Sequence, residues 1–282
     1  MSAADPVVIT AAICGAETTR AQTPYLPISP RELGEEAARC AEAGASVIHL
    51  HVRKPDGSPT QDRAIFDEAI REIRSRCDVL VQTTTGGAVG MTGEERAQPL
   101  ECAPDMATLN VGSLNFGDDV FSNPFPLVRD LARRMRAHDI RPELECYDLG
   151  HLDNVALLVK EQLLDPPGHF DFVLGVRGGL GASEENLRLL VSRLAPGATW
   201  TVAGIGRHQL PMAKFSIQTL GGNARCGLED NVYVSKGVLA KGSFELVAQL
   251  AGFAREAGRR TASADEAAAM LKVKRKAAPR PS

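Results

Sequence analysis

Eight times along this chain of 282 residues, a short apolar run is followed by a longer stretch with helical spacing. That alternation limits the fold more than any other feature. A strand, a helix and a second strand in the same direction make the parallel βαβ unit. Eight such units at roughly 30–35 residues apiece close into a barrel more readily than they spread into an open sheet. The strand-like runs fall at 7–13, 46–52, 79–85, 106–113, 141–148, 170–176, 199–205 and 224–229. Ser29 and Pro30 start a helix that Gly44 ends. Asp62 caps the next, with Ile65, Phe66, Ala69, Ile70 and Ile73 on one face, and Ser183 caps another ahead of Glu184 and Glu185. Further helices are expected over 94–102, 123–135, 151–164, 209–220 and 244–257, with a last turn or two over 266–271. The chain is thus expected to be α/β: one (β/α)8 TIM-barrel catalytic domain over 1–271, then a basic, disordered tail over 272–282. An open doubly wound sheet is the competitor. No Gly-x-Gly-x-x-Gly follows the first strand, which counts against a dinucleotide-binding sheet.

Composition narrows the function classes. A net charge of −3 gives no global attraction to nucleic acid or membranes. No apolar run reaches the roughly 18 residues of a membrane span, and the first residues lack the pattern of a secretory signal. The six cysteines are widely spaced, with no Cys-x-x-Cys, so a disulfide framework is not expected and a reducing, cytoplasmic setting is.

In a barrel, the polar residues that carry chemistry lie where strands end. The run Ser46-Val-Ile-His-Leu-His-Val52 puts His49 and His51 two residues apart, hence on one face of a strand, before a turn at Arg53-Lys-Pro-Asp-Gly57. Two convergent imidazoles are a candidate metal site, and zinc accepts a carboxylate as a third ligand. Glu229 is the best placed, with Glu145, Asp230 and Cys226 as rivals. Other polar residues at the same mouth are Glu17, Thr84, Thr85, Thr108, Asn110, Glu145, Arg177, Arg225 and Asp230. Arg225 beside Asp230 is expected to keep that aspartate ionised with a depressed pKa. Glycine-rich turns at 175–181 and 204–208 are candidate phosphate cradles, each weak alone. No Gly-x-Ser-x-Gly elbow is present, so an acyl-enzyme hydrolase has no support.

Several stretches together resemble the β-keto acid cleavage enzymes, a family that includes 3-keto-5-aminohexanoate cleavage enzyme. They are Ile9-Thr-Ala-Ala-Ile-Cys-Gly-Ala-Glu-Thr-Thr-Arg20, Ala43-Gly-Ala-Ser-Val-Ile-His-Leu-His-Val-Arg53, Gln82-Thr-Thr-Thr-Gly-Gly87 and Ala107-Thr-Leu-Asn-Val-Gly-Ser-Leu-Asn-Phe-Gly117. Pro142-Glu-Leu-Glu-Cys-Tyr-Asp148, Val202-Ala-Gly-Ile-Gly-Arg207 and Gly221-Gly-Asn-Ala-Arg-Cys-Gly-Leu-Glu-Asp-Asn231 complete the set. The resemblance implies a zinc-dependent barrel that condenses a β-keto acid with acetyl-CoA to give acetoacetate and a new acyl-CoA. It implies Zn2+ on His49, His51 and Glu229, catalysis by Asp230 and Arg225, and substrate contacts from Glu17, Thr84, Thr108 and Glu145. The family often has serine where this chain has Thr84, which keeps the hydroxyl. It further implies a homotetramer. It names no residues for CoA.

A metal-dependent hydrolase on the same fold is the alternative. It would want further histidines on strands 5 and 6, whereas His151 and His169 read as helix or loop residues. Negative charge at Glu17 and Glu145 favours a substrate with an amine remote from its carboxylate, such as 5-amino-3-oxohexanoate.

Overall fold

The computed structural model describes residues 6–276. Eight parallel strands form the closed barrel: β1 (Ile9–Ala12), β2 (Val47–Leu50), β3 (Leu80–Thr83), β4 (Met106–Asn110), β5 (Arg141–Cys146), β6 (His169–Leu174), β7 (Thr199–Gly204) and β8 (Ala224–Cys226). Each pairs with its sequence neighbours, and β1 pairs with both β2 and β8, so no edge is left open. The helices are α1 (Pro30–Ala43), α2 (Arg63–Arg76), α3 (Gly93–Ala97), α4 (Phe125–Ala137), α5 (Gly150–Lys160), α6 (Glu184–Ser192), α7 (Gln209–Phe215), α8 (Ser243–Glu256) and α9 (Ala264–Leu271). No described helix is long and apolar enough to cross a membrane.

The punctuation residues act as expected. Ser29 and Glu32 form a capping box on α1, Gly44 ends it in the left-handed region, and Asp62 accepts from Ala64 and Ile65 to cap α2. Strand ends are shorter than the apolar runs, because several runs continue into buried loops. Three two-stranded ribbons, at Val52–Arg53 with Pro59–Thr60, Leu114–Phe116 with Asp119–Phe121, and Tyr233–Ser235 with Val238–Leu239, sit on the βα loops. The sequence reading did not include them; each is too short for a recognisable period.

Outward-facing strand residues such as Ile48, Leu50, Leu109, Phe172 and Val202 pack under the helices in the main core. The barrel interior is layered differently. At its N-terminal end Val8, Val47, Leu80 and Met106 meet Ala267, Ala268 and Leu271 of α9, which plugs the base. The expected tail begins inside the described residues. Val273 is buried, Lys274 pairs with Asp139, and Arg275 pairs with Asp78 and Asp265; residues 277–282 lie outside the described residues. Above the apolar base, the interior turns polar and holds Glu143, His169, Asp171, Thr201 and Arg225, all buried.

Candidate active site

His49 and His51 point together at the C-terminal mouth, with ring centroids 5.3 Å apart. Glu229 Oε1 lies 3.6 Å from His49 Nε2 and 3.5 Å from His51 Nε2. One ligand atom from each of these three residues falls within 4.8 Å of the other two, close enough to share one ion. The protonation states suit a metal. His49 Nδ1 sits 2.8 Å from the Gln82 amide oxygen, which only accepts, so Nδ1 carries the proton and Nε2 is the free donor. Burial lowers both histidine pKa values, that of His51 to about 3, so both imidazoles are neutral. Burial acts to raise Glu229, but Arg225 and the two histidines outweigh it and hold the carboxyl at about 2. Its Oε2 is buried without a hydrogen-bond partner. Two neutral nitrogens and an ionised carboxylate that keeps one unpartnered oxygen are a donor set that fits a divalent metal ion. Cys226, a rival ligand on sequence grounds, faces the outer core, and burial pushes its thiol far up.

Glu229 is not on the last strand, as the run 224–229 suggested. β8 stops at Cys226, and Gly227, at φ +150°, turns the chain so that Glu229 and Asp230 swing over the mouth. A Cβ on Gly227 would stand 2.0 Å from the Ala12 carbonyl. The turn is pinned from the β1 side: Glu229 N–H donates to Ala12 O at 3.1 Å, and Thr18 Oγ1 donates to Leu228 O at 2.9 Å. Arg53 braces the same loop, donating from Nη2 to Gly15 O at 2.8 Å.

Arg225 lies below this turn and grips both acids. Its Nε and Nη2 donate to the two oxygens of Asp230, each at 2.9 Å, and Nη2 reaches Glu229 Oε1 at 2.6 Å. Glu145 and Asp171 approach Nη1 at 3.5 and 3.8 Å. One guanidinium thus faces four carboxylates, and they cannot all be ionised. Burial raises Glu145 to about 8 and Asp171 well above the carboxylate range. Asp230 is also raised, by burial and by the charge of Glu229, despite its bond to Arg225. The expected depression is therefore reversed: desolvation exceeds the attraction of an arginine shared among four acids. A carboxylate held this way is the stronger base.

These groups line a cavity of about 230 Å³, closed on one side by Val89, Phe116, Phe121, Val173, Val176 and Ile205. Thr84, Glu145, Glu17 and Asn110 line it too. Glu17 stands exposed at the rim, and Thr84 Oγ1 accepts from Gly86 N–H at 2.9 Å. Thr108 is one layer down, absent from the lining, and its carbonyl accepts from Thr85 Oγ1 at 2.6 Å. Its neighbour Asn110 faces the cavity instead, with both amide atoms buried and unpartnered. Period-2 alternation puts residues 108 and 110 on one face but does not say which layer reaches the ligand.

Other candidates fall away from the site. Arg177 is exposed and pairs with Asp118, and the 175–181 turn packs on neighbouring loops through Gly117 N–H to Arg177 O and Leu180 N–H to Tyr147 O. The 204–208 turn offers Gly206 N–H to Asp230 O at 2.7 Å, not to a phosphate. His169 is a strand residue after all, the first of β6, but it lies deep in the barrel, 2.8 Å from Glu143 and outside the ligand cluster. Among the described residues, His49 and His51 are the histidines that line this cavity.

The model of the beta-keto acid cleavage enzyme family matches residues 6–273. The 3-keto-5-aminohexanoate cleavage enzyme of Fusobacterium nucleatum subsp. nucleatum is 45% identical over 273 residues, covering 96% of this chain and 99% of that protein. The 3-oxoadipate:acetyl-CoA acetyltransferase of Cupriavidus necator is 40% identical, covering 94% of each. Among solved structures, apo ObcA superposes with a TM-score of 0.78 at 21% identity, over 90% of this chain and 66% of that one, a likeness of fold. The chain belongs to the beta-keto acid cleavage enzyme family.

Proposed function

We propose that this protein is a zinc-dependent acyltransferase that condenses a β-keto acid with acetyl-CoA, releasing acetoacetate and a new acyl-CoA. The observation that carries the reading is a cluster of three candidate ligands beside a bidentate Arg225–Asp230 pair, in one cavity of a chain of this family. His49, His51 and Glu229 would hold the ion, whose chemistry is that of a Lewis acid toward the oxygens of the β-keto acid. Asp230 Oδ1 and Oδ2, fixed by Arg225, take the proton from the carbon between ketone and carboxylate. That carbon bonds to the acetyl carbonyl and the CoA thiolate leaves. The thiolate then adds to the original ketone carbon, the bond between that carbon and the attacking carbon breaks, and the protonated Asp230 returns its proton to the departing carbon, giving acetoacetate and the new thioester. Glu145, largely protonated near neutral pH by burial, and Asn110 are hydrogen-bond donors to the bound acid.

The substrate is read as an amino-bearing β-keto acid such as 5-amino-3-oxohexanoate. The only cation lining the cavity, among the described residues, is Arg225, already committed to Asp230 and Glu229, so a second carboxylate would find no counter-ion. Glu17 at the rim suits an ammonium. Two relatives, at 45% and 42% identity, carry the name 3-keto-5-aminohexanoate cleavage enzyme. A homotetramer is the form expected on the resemblance, and a cytoplasmic setting is expected from the cysteine spacing.

The test is acetoacetate release from a panel of β-keto acids with acetyl-CoA and zinc. Asp230→Asn should lower kcat by about 10²–10⁴-fold with zinc content unchanged. Product formation that does not require acetyl-CoA would return the site to a hydrolase.

A further inference from the structure

A second hollow of about 970 Å³ opens beside the first and shares Glu17, Glu229 and Asp230 with it. Its far wall comes from the turn after β7 and the ribbon after β8, and carries Arg207, Tyr233 and Lys236. We propose that this groove holds the nucleotide end of a CoA thioester, with Arg207 and Lys236 on its phosphates and Tyr233 against its adenine. The assignment rests on the acyl-transfer reading and gives the coenzyme its place.

Size separates the two reactants. The inner cavity of about 230 Å³ lies below the roughly 300–1,000 Å³ usual for drug-sized ligands, and the outer groove lies at the top of that range. A six-carbon acid suits the first and a coenzyme the second. Charge orders the groove along its length. Its acidic residues are Glu17, Glu229 and Asp230, all at the shared inner end. Its cations, Arg207 and Lys236, do not line the inner cavity, and both are exposed and in no ion pair among the described residues. A CoA thioester has the same polarity: a neutral acyl thioester at one end, phosphates at the other. Tyr233, 44% exposed, is one of the few large hydrophobic side chains left open to solvent among the described residues and offers a flat face for a base. Both anchors are tied to the catalytic turn. Gly206 N–H, next to Arg207, donates to Asp230 O, and Asn231 holds Tyr233 through Oδ1 at 3.2 Å and Nδ2 at 2.6 Å. Phosphates bound there thus hold the coenzyme beside the turn that carries the base.

The test is steady-state kinetics of the Arg207→Ala/Lys236→Ala double variant, with acetyl-CoA and with acetyl-pantetheine, which lacks the nucleotide. Expected is a rise in KM for acetyl-CoA of about tenfold or more, with kcat and KM for the β-keto acid unchanged and no effect with acetyl-pantetheine. Tyr233→Ala should shift KM in the same direction. An unchanged KM for acetyl-CoA, or equal losses with both thioesters, overturns the groove assignment while acyl transfer stands. Calorimetric titration with free CoA separates the two readings. Binding that weakens in the double variant without acetoacetate from any acid would support the groove and sink acyl transfer; wild-type protein that binds no CoA would overturn the groove.

Discussion

Gly15 shows how little room a single atom has at this mouth. Its φ is +72°, and a Cβ there would stand 2.5 Å from Glu229 Cγ, so a side chain would push Glu229, the proposed third ligand, away from the histidines. Gly15→Ala should therefore lower zinc content, measured by elemental analysis, more than it lowers thermal stability. A full complement of zinc in the variant would show that the turn can shift freely. Asp171, also buried, makes a pH prediction. Burial keeps its carboxyl protonated in the folded chain, well above the usual range. The unfolded chain releases that proton near pH ~4, so stability falls as pH rises from there toward the folded pKa, by up to about 1.4 kcal/mol per unit. Asp171→Asn removes this slope. Melts at pH 5 and pH 8 should show the variant gaining on wild type at the higher pH; a constant difference would mean the group is ionised. Of the site residues, His49, His51, Glu229, Arg225 and Asp230 were legible in the sequence. Gln82 and Asp171 were not, because an amide and an acid inside strands read as ordinary alternation until the barrel closes around them.

At the scale of elements, the barrel divides its interior between an apolar base and a polar mouth. α9 supplies the base, where Leu271 is almost fully buried beside Val8, Leu80 and Met106. Leu271→Ala should cost roughly 2–5 kcal/mol of stability. Because this layer lies at the opposite end from the ligands, kcat at room temperature should hold; a matching loss of activity would mean that the base transmits strain to the mouth. The sequence marked this helix as one or two turns at most. Its buried face, Ala264, Ala267, Ala268 and Leu271, has helical spacing but is three parts alanine, so it gives a weak hydrophobic signal until it docks against the open end of the barrel. The same holds for the ribbons. Leu114–Phe116 and Asp119–Phe121 are too short to register a period, yet Phe116 and Phe121 form the apolar wall of the cavity.

For the whole molecule, the placement of the proposed metal predicts what its removal does. The three proposed ligands cluster at the C-terminal mouth, apart from the apolar core that packs the helices on the barrel. Chelation should abolish turnover and zinc addition restore it, while circular dichroism stays unchanged and Tm falls only by the binding term. Unfolding on chelation would make the ion a structural one.

The eightfold alternation, the capping residues and the His-x-His pair were determined by the sequence, because spacing of 2.0 and 3.6 residues is a local property that needs no partner. Tertiary structure decided the rest. Closure of β8 on β1 carried Glu229 across 178 residues of sequence separation from His51. The same closure desolvated four carboxylates around one arginine, so that Asp230 is raised where sequence neighbours alone predicted the opposite. Burial is a sum over the whole fold, and no stretch of sequence contains it.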